Sequence, residues 1–499
     1  MSFNSPPSTI SCTASEQRPV HSLKPLFVAV AILAGLTLFR LWYVTRIELV
    51  PDEAYYWVWS KHLAASYRDK GPAIAWVIAL GNWLFGDTVF GVRFFGVVLS
   101  TGISWQLYVL ARRLADERTA LWCLILANVI PMLALGSLLM TIDTLSLFCW
   151  AWAMNVFWTA IHSRKPWHWM GLGLIIGLGF LAKFTNGLQL ACIAMFLVWS
   201  KPHRSLLFSK QTVAMGLAFC VAILPIVWWN VHTGWIHAGA LHSRSGVSTS
   251  FQIRPFELLR FIGGQIAVLS PLIGIGLIVA VVETCRKNHR DTNARFLLSH
   301  CLPIYAVFGF FSLNHAGKEN WMAPALIAGI VVLTTYWRAL VARKPLWRRG
   351  VAVALGLACV LTLVLHNTDY LRLPSKYEPL RRAQGWADFT AHVQRARLEH
   401  HTDLLIGNHY SQASMMQFYL PGHPTTYLPE EPYGQNQFTL WPTYQAAEHP
   451  RALFVTDKTD PLPESLKREF THCDVVDDFW SQHQGRDMTH FIIYLCHRD

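Results

Sequence analysis

Long apolar stretches separated by short polar segments make up most of the chain. The first runs from Leu26 to Tyr43, and others follow near residues 89–110, 120–135, 145–160, 169–181, 188–199, 213–229, 258–282, 296–311, 322–337 and 351–365. Because a helix needs roughly twenty apolar residues to cross a bilayer, this pattern predicts a polytopic α-helical membrane protein with about 11 to 13 transmembrane helices. The first stretch is longer than a signal peptide requires and predicts a retained anchor.

The loop at residues 45–88, between the first two spans, contains two weaker helical stretches. They cover Glu53 to Ala64 and Ala73 to Phe85, and they are rich in Tyr and Trp. Amphipathic aromatic side chains favour the boundary between lipid and water, so the pattern predicts two interfacial helices. A tight transmembrane hairpin is the alternative, and it would leave the sidedness of all later loops unchanged.

The composition becomes polar after Tyr377. Helical patterns at 385–398 and 411–419 alternate with short strand-like runs at 403–407, 452–456 and 491–495, which predicts a small α/β domain. The expected organisation is therefore a disordered N-terminus over 1–22, a transmembrane domain over 23–370 and this domain over 371–499. The domain contains Cys473 and Cys496, and the sequence leaves open whether they form a disulfide.

The charge distribution predicts how the chain is oriented. Hydrophobic residues make up 53% of the sequence and charged residues 14%, and the formal net charge is +12. Lys and Arg cluster in every second loop, at 112–118, 164–165, 201–210, 286–295 and 343–349. The positive-inside rule then places the N-terminus in the cytoplasm, and the loop at 45–88 and the C-terminal domain outside. Topology accounts for the basic charge, so no nucleic-acid partner is predicted.

Charged residues on the outward side lie at the ends of apolar spans, where each is expected to have an ion-pair partner or a functional role. Any one of them is compatible with an ion pair at a helix end, but the set on one face favours a functional site. Arg93, just inside its span, is predicted to pair with an acid from the first loop. The outward residues are Asp52, Glu53, Asp69, Lys70, Asp143, Lys183, His242, Arg244, Lys318 and Glu319.

Six sequence blocks occur in an order that resembles a known family. They are "PDEAYYW", "YRDKGPAIAW", "LLMTIDTLSLFCW", "GLGFLAKFTNG", "FIGGQIAVLSPL" and "KENWMAPA", and the tail segments "GWADF" and "FYLPGHPTTY" extend the likeness. Together they resemble the bacterial protein-mannosyltransferase-like glycosyltransferases of the GT-C superfamily, which includes the lipid A aminoarabinose and galacturonic acid transferases. The resemblance implies a GT-C fold in the bacterial inner membrane. It also implies sugar transfer from a polyprenyl (undecaprenyl) phosphate donor to a lipid or glycan acceptor at the periplasmic face.

The resemblance also implies roles for individual residues. Asp52 and Glu53 match the catalytic acidic pair, with Asp52 the candidate general base for the acceptor hydroxyl, although which carboxylate is the base is left open. Lys70 matches a lysine that contacts the donor phosphate. Asp69 matches a residue implicated in metal binding. Gly71 replaces the family's usual proline, which predicts a looser loop.

The remaining candidates have less specific roles. Arg244 and Lys318 are further candidates for the donor phosphate, and His242 either orients a group or is an ordinary loop histidine. Asp143 and Lys183 either contact substrate or form an ion pair between helix ends, and Glu319 is a supporting residue. Asp52, Glu53 and Asp69 together offer oxygen ligands suited to Mg²⁺ or Mn²⁺, and dependence on a divalent metal is left open.

Several alternatives remain open from the sequence. The acceptor is lipid A or lipopolysaccharide, another envelope glycan, or a protein hydroxyl, because fold does not determine the acceptor. A transporter or flippase of lipid-linked saccharides is the rival from another class, although such proteins usually carry midplane charges and internal repeats. A catalytically silent relative is a further rival. The sugar and the oligomeric state are not determined.

Overall fold

The computed structural model describes residues 23–236, 251–430, 435–457 and 462–498. The α-helices and strands in these ranges are numbered here in chain order. The helices are α1 (Leu23–Tyr43), α2 (Pro51–Lys61), α3 (Ala73–Phe85), α4 (Val89–Leu114), α5 (Glu117–Val129), α6 (Pro131–Gly136), α7 (Ile142–Ser163), α8 (Pro166–Ala182), α9 (Leu188–Trp199), α10 (Lys210–Ala222), α11 (Leu224–His232), α12 (Pro255–Val268), α13 (Pro271–Lys287), α14 (Thr292–Ser299), α15 (Leu302–Ser312), α16 (Ala323–Arg343), α17 (Trp347–His366), α18 (Trp386–Glu399), α19 (Tyr410–Tyr419) and α20 (Glu464–Glu469).

Six described helical segments are long and apolar enough to cross a membrane: Lys24–Arg46, Val89–Leu114, Ile142–Ser163, Thr292–Ser312, Glu319–Arg343 and Trp347–His366. Two bent pairs, α10 with α11 and α12 with α13, raise the number to eight if each pair is one span. These segments confirm a polytopic membrane protein. The count expected from the sequence is higher because it includes stretches shorter than 18 residues, such as Pro166–Ala182 and Phe184–Trp199.

The apolar stretch at 258–282, predicted as one span, is instead two helices that meet at 114°. The break lies at Ser270, whose φ of 78° is outside the helical region. Pro271 follows it and has no N–H to continue the hydrogen bonding of α12. The stretch at 120–135 is likewise divided, because α5 ends before Pro131.

The central helix α7 packs against α4 and α8, and its Trp150, Met154 and Phe157 are fully buried in the bundle core. Because α7 and α8 are antiparallel neighbours joined by a short turn, the start of α7 lies beside the end of α8. The turn before α16 joins them through a hydrogen bond from Asn320 to Asp143. We call this end of the bundle the site end.

Helix α2, predicted as an interfacial helix, lies at the site end and is buried between the bundle and the C-terminal domain. Pro51 occupies its first turn, and the Glu53 carboxylate accepts a hydrogen bond from the Val50 N–H at 3.1 Å, which satisfies a donor that the helix itself leaves free. Its aromatic residues are buried, including Trp59, because α2 packs against α19 of the C-terminal domain. By contrast, α3 exposes the apolar side chain of Trp83, as a helix in contact with lipid would.

The C-terminal residues form an α/β domain with a five-stranded sheet, which confirms the predicted class. The strands are β1 (Leu405–Gly407), β2 (Thr426–Tyr427), β3 (Arg451–Thr456), β4 (His472–His483) and β5 (Arg486–His497), in the order β2-β1-β3-β5-β4. Strand β1 is parallel to β2 and β3, whereas β5 is antiparallel to β3 and β4. The disulfide that the sequence left open is present, between Cys473 and Cys496 of the β4–β5 hairpin.

The C-terminal domain and the first loop share one hydrophobic core, in which residues of α2 and α3 pack with residues of α18, α19 and the sheet. A polar contact reinforces this junction. The N-cap of α18 is Gly385, with a φ of 84° and no side chain to cap the helix. Glu48 of the first loop caps it instead, because its carboxylate accepts hydrogen bonds from the N–H groups of Trp386 at 2.8 Å and Ala387 at 2.9 Å.

We expect Glu48→Ala to loosen the C-terminal domain from the first loop. The change removes the only side-chain cap seen at the start of α18 among the described residues, and such a cap contributes about 0.5–2 kcal/mol. Hydrogen exchange at the first turn of α18 should therefore become faster while the sheet stays protected. Glu464→Ala is the matched control, because the exposed Glu464 begins α20 and pairs only with Lys467 among the described residues. Equal exchange in both variants would show that Glu48 does not hold the junction.

Candidate active site

A cavity of about 1020 Å³ lies at the site end, between the helix bundle and the C-terminal domain. Its wall combines the first loop, the ends of the bundle helices and the start of the C-terminal domain. Charged groups from all three line it: Arg40, Asp52, Asp69, Lys70, Asp143, Lys183, Lys318, Glu319 and Arg382. The structure therefore brings most of the sequence-predicted site residues to one space.

Asp52, in the first turn of α2, is held by two residues of the C-terminal domain. The Tyr410 hydroxyl donates a hydrogen bond to Oδ1 at 3.0 Å, and Arg382 lies 3.3 Å from Oδ2. Burial, and next the charge of Asp52, raise the pKa of Tyr410, so this phenol remains a hydrogen-bond donor. The Arg382 side chain is 63% exposed, and its contact is therefore weak. Asp52 thus has one firmly held oxygen and one that faces the cavity with a replaceable partner.

Glu53, predicted to be catalytic beside Asp52, points away from the cavity. Its side chain and that of Arg93 are both 0% exposed, and the two form an ion pair with Arg93 Nη2 at 2.6 Å and Nε at 2.8 Å from the carboxylate. The N–H groups of Val50 and Met140 also donate to Glu53. With both oxygens engaged, Glu53 is placed to position α2 and not to react. The predicted pairing of Arg93 with a first-loop acid is confirmed.

Arg93 extends the same network to the backbone of the first loop. Its guanidinium donates to the carbonyl oxygens of Val44, Ile47 and Glu48 at 2.8–2.9 Å. One buried side chain of α4 thereby fixes the chain from the end of α1 to the start of α2. This arrangement determines where Asp52 stands.

Asp69 and Lys70 line the cavity on the loop between α2 and α3. The Tyr55 hydroxyl donates to Asp69 Oδ2 at 3.3 Å and accepts a hydrogen bond from the Gln437 N–H at 2.6 Å. Burial, and next the Asp69 charge, raise the pKa of Tyr55. The C-terminal domain therefore braces this loop as well as Asp52.

The replacement of the family's proline by Gly71 predicted a looser loop, but this loop is closely packed in the structure. Gly71 is buried, and a Cβ built on it would lie 1.9 Å from the carbonyl oxygen of Leu181 near the end of α8. The absence of a side chain is what allows the Lys70 loop to pack directly on α8.

We expect Gly71→Ala to reduce activity and stability together. The added methyl group forces the loop away from α8, and overpacking of this kind costs about 1–3 kcal/mol. The thermal midpoint and the rate of product formation should both fall. Gly171→Ala on α8 is the control, because a Cβ at Gly171 meets nothing within 4 Å. A fully active, equally stable Gly71→Ala protein would contradict the close packing.

Asp143 and Lys183 form an ion pair of 2.6 Å between the start of α7 and the end of α8. Asn320 completes the cluster by donating to the other Asp143 oxygen at 2.8 Å. Of the two roles that the sequence left open, the structure supports a contact between helix ends, although both residues also line the cavity. Lys318 and Glu319 line it from the turn before α16.

His242 and Arg244 lie outside the described residues, as does the predicted disordered segment 1–22. Within the described residues, no group of three or more His, Cys, Asp or Glu side chains could hold a metal ion. The suggested ligands do not converge either, because Glu53 is saturated by Arg93 while Asp52 and Asp69 bind different tyrosines. The described residues thus do not fit the suggested metal site.

Three polar residues at the cavity were not among the site residues predicted from the sequence. Arg382 and Tyr410 belong to a domain whose contact with α2 has no local signal in the sequence. Arg40 did have one, because it is a lone cation near the end of the first apolar stretch, where a charge indicates a function by default.

Comparison with known proteins supports the resemblance seen in the sequence. Residues 69–229 match the family described as dolichyl-phosphate-mannose-protein mannosyltransferase. The lipid A galacturonosyltransferase RgtD of Rhizobium johnstonii is 25% identical over 390 residues, which cover 75% of this chain and 79% of that protein. An undecaprenyl phosphate-alpha-4-amino-4-deoxy-L-arabinose arabinosyl transferase of Pseudomonas fluorescens is 29% identical over 310 residues, or 56% of this chain. The match spans only about half (53%) of that relative's length.

The fold is that of a solved structure. The crystal structure of ArnT from Cupriavidus metallidurans in the apo state has a TM-score of 0.63 at 16% identity and covers 94% of this chain and 97% of its own. A second structure of that protein, bound to undecaprenyl phosphate, has a TM-score of 0.61. The GT-C fold predicted from the sequence is thereby confirmed.

Proposed function

We propose that this GT-C protein, related to bacterial lipid A sugar transferases, is a glycosyltransferase that uses undecaprenyl phosphate as the carrier of its sugar. The acceptor is lipid A or a related envelope glycan. The two relatives compared above are named for lipid A and for an undecaprenyl phosphate-linked sugar. The sugar itself stays unassigned.

The observation that supports this proposal best is that a carboxylate and a cation line the same cavity. A carboxylate, Asp52, and a cation, Lys70, face one space at the ends of membrane helices. A polyprenyl phosphate needs this arrangement, because its head group must reach polar residues while its tail stays in lipid. A site on a soluble domain alone would have to draw that tail into water, at a cost of about 0.8 kcal/mol per CH₂ group.

Asp52 acts as the general base in this proposal. The acceptor hydroxyl loses its proton to Asp52 Oδ2 as its oxygen forms a bond to the anomeric carbon of the sugar. The bond from that carbon to the phosphate oxygen breaks, and undecaprenyl phosphate leaves with the electron pair. Tyr410 keeps the carboxylate oriented through Oδ1, and the weak contact with Arg382 is the one that the hydroxyl displaces.

Lys70 and Lys318 stabilise the leaving phosphate in this proposal. Negative charge builds on the phosphate oxygens as the glycosidic bond breaks, and cations fixed nearby lower the barrier without having to move. Both lysines line the cavity. Asp69, braced by Tyr55, helps to fix the loop on which Lys70 stands.

The C-terminal domain forms part of the active site in this proposal. Arg382 and Tyr410 touch Asp52, and Pro379, Leu380 and Ala383 add to the cavity wall. The domain thereby helps to keep bulk water from the donor, which would otherwise be hydrolysed. We expect a chain that ends before residue 371 to be inactive even with a short soluble acceptor.

The site end faces the periplasm of the inner membrane in this proposal, with the N-terminus in the cytoplasm. Two observations support that sidedness. The basic loops, at 112–118 and 343–349 for example, lie at the opposite end of the bundle, as the positive-inside rule requires of the cytoplasmic face. The Cys473–Cys496 disulfide of the C-terminal domain suits an oxidising compartment.

Mass spectrometry of envelope lipids tests the proposal. Lipopolysaccharide, polyprenyl-phosphate lipids and envelope glycoproteins are compared between a strain that lacks the protein and the same strain restored with the wild type. We expect lipid A or lipopolysaccharide to lose a sugar-sized mass that the wild type restores. Loss of the mass from glycoproteins alone would contradict the proposed acceptor, and three unchanged pools would contradict the activity.

A further inference from the structure

Arg40 is a buried cation on the cavity wall that the proposed reaction does not use. It stands in the last turn of α1 and is 4% exposed. Its Nη2 donates to Asn128 Oδ1 at 2.7 Å, whereas its Nη1 is buried and has no hydrogen-bond partner among the described residues. Nor does any described carboxylate form an ion pair with it.

The residues around Arg40 hold it in a fixed orientation. Asn128 Nδ2 donates to Ser104 Oγ at 3.1 Å and to the Leu124 carbonyl at 2.8 Å. These two bonds turn the amide oxygen of Asn128 toward Arg40. Ser104 in turn donates to the Ser100 carbonyl at 3.3 Å. In the described part of the chain, no hydrogen bond links this network to Asp52 or Asp143.

A buried guanidinium without a counter-charge is costly to the folded protein, and it persists where a ligand supplies the missing charge. Guanidinium groups bind the paired oxygens of carboxylates and phosphates. We infer that Arg40 and Asn128 form a second anion-binding subsite of the cavity, separate from the Lys70 region, for a carboxylate or phosphate group carried by a substrate.

Two sources of that group follow from the proposed function, on which this inference rests. A carboxylate on the transferred sugar would make the donor a uronic acid derivative. A phosphate on the acceptor lipid would make Arg40 an acceptor-recognition residue. Arg40 is provided by α1 and Asn128 by α5, whereas Lys70 is on the first loop. The subsite is thus built from a different wall of the cavity.

The test compares Arg40→Gln with Arg46→Gln in the purified full-length protein. Arg46 is an exposed arginine six residues later that stacks on Trp42 and does not line the cavity. Glutamine keeps a polar amide group but carries no charge. We expect Arg40→Gln to raise the KM for the anionic substrate roughly 10- to 100-fold, as loss of a charge-assisted hydrogen bond does, and Arg46→Gln to leave it unchanged.

Matched substrates identify the source. Donors that carry a uronic acid are compared with donors that carry the corresponding neutral sugar, and phosphorylated acceptors with dephosphorylated ones. An Arg40→Gln defect confined to the uronic acid donor assigns the carboxylate, and one confined to the phosphorylated acceptor assigns the phosphate. A defect of equal size with every substrate overturns the inference.

Two binding measurements separate this inference from the proposed function. Undecaprenyl phosphate alone should bind Arg40→Gln as well as the wild type, because its phosphate belongs near Lys70, and a matching loss of affinity would overturn a separate subsite. Glucuronate and inorganic phosphate should each be tested as probes against glucose. At least one should raise the thermal midpoint of the wild type but not of Arg40→Gln, even in a protein that transfers no sugar. Identical responses in both proteins would also overturn the inference. The unliganded variant should melt no lower than the wild type, because it has lost an unpaired charge.

Discussion

Asp52→Asn should lower the rate of sugar transfer by roughly 10²–10⁴-fold, the usual contribution of a positioned general base. The amide matches the carboxylate in size and can still accept the hydrogen bond from Tyr410. It cannot take the proton of the acceptor hydroxyl. We therefore expect a folded protein that binds undecaprenyl phosphate normally but turns over its donor slowly. Transfer by purified protein, under conditions that saturate both substrates, measures the effect.

The control for this prediction is Asp474→Asn. Asp474 is an exposed carboxylate on β4, away from the cavity, with His497 as its ion-pair partner at 3.5 Å. The Asp474→Asn protein should transfer sugar at the wild-type rate. An Asp52→Asn protein that keeps more than about a tenth of wild-type activity would show that another group takes the proton.

Arg93→Met should have the largest effect on stability. It leaves the fully buried Glu53 carboxylate without its counter-charge and three backbone carbonyls of the first loop without their donor. Breaking a buried ion pair from one side costs about 3–5 kcal/mol, a large fraction of the free energy of unfolding of most domains. We expect a low yield of monodisperse protein and a marked fall in its thermal midpoint.

A double variant identifies the cause of that loss. Glu53→Gln removes the buried negative charge, and its single amide oxygen still accepts from one of the two N–H groups, Val50 or Met140, that bind separate carboxylate oxygens. Arg93→Met combined with Glu53→Gln should therefore be more stable than Arg93→Met alone. If the double variant is the less stable one, the ion pair is not the source of the effect. The same cycle tests whether Glu53 has a positioning role and not a catalytic one.

Much of the fold was predictable because its signals are local. Long runs of apolar residues predicted the spans, and short strand-like runs predicted β1, β3 and β5. The strand β4 was missed because its sequence, "HCDVVDDFWSQH", is polar and largely exposed. The break at Ser270 was missed because the chain is apolar on both sides of it, so hydropathy does not show the change of direction. Pro271 did indicate a helix end there.

The sequence predicted most of the residues that lie at the candidate site, but it did not predict which role each of them has. Asp52 and Glu53 are adjacent in sequence, yet successive residues of a helix point in directions about 100° apart, so one faces the cavity and the other the Arg93 side chain. Arg382 and Tyr410 follow Asp52 by more than 300 residues. Only tertiary packing, through the hydrophobic core shared by α2 and α19, brings them to it.

Acceptor-dependent breakdown of the donor is the measurement that tests the central claim most directly. The wild-type protein in lipid nanodiscs is given a labelled undecaprenyl phosphate-linked sugar with and without lipid A, and both lipids are followed by mass spectrometry. We predict that free undecaprenyl phosphate and glycosylated lipid A form in equal amounts, and only when both substrates are present. An intact donor in every reaction, combined with movement of the donor across the bilayer of a proteoliposome, would contradict the claim and identify a transporter.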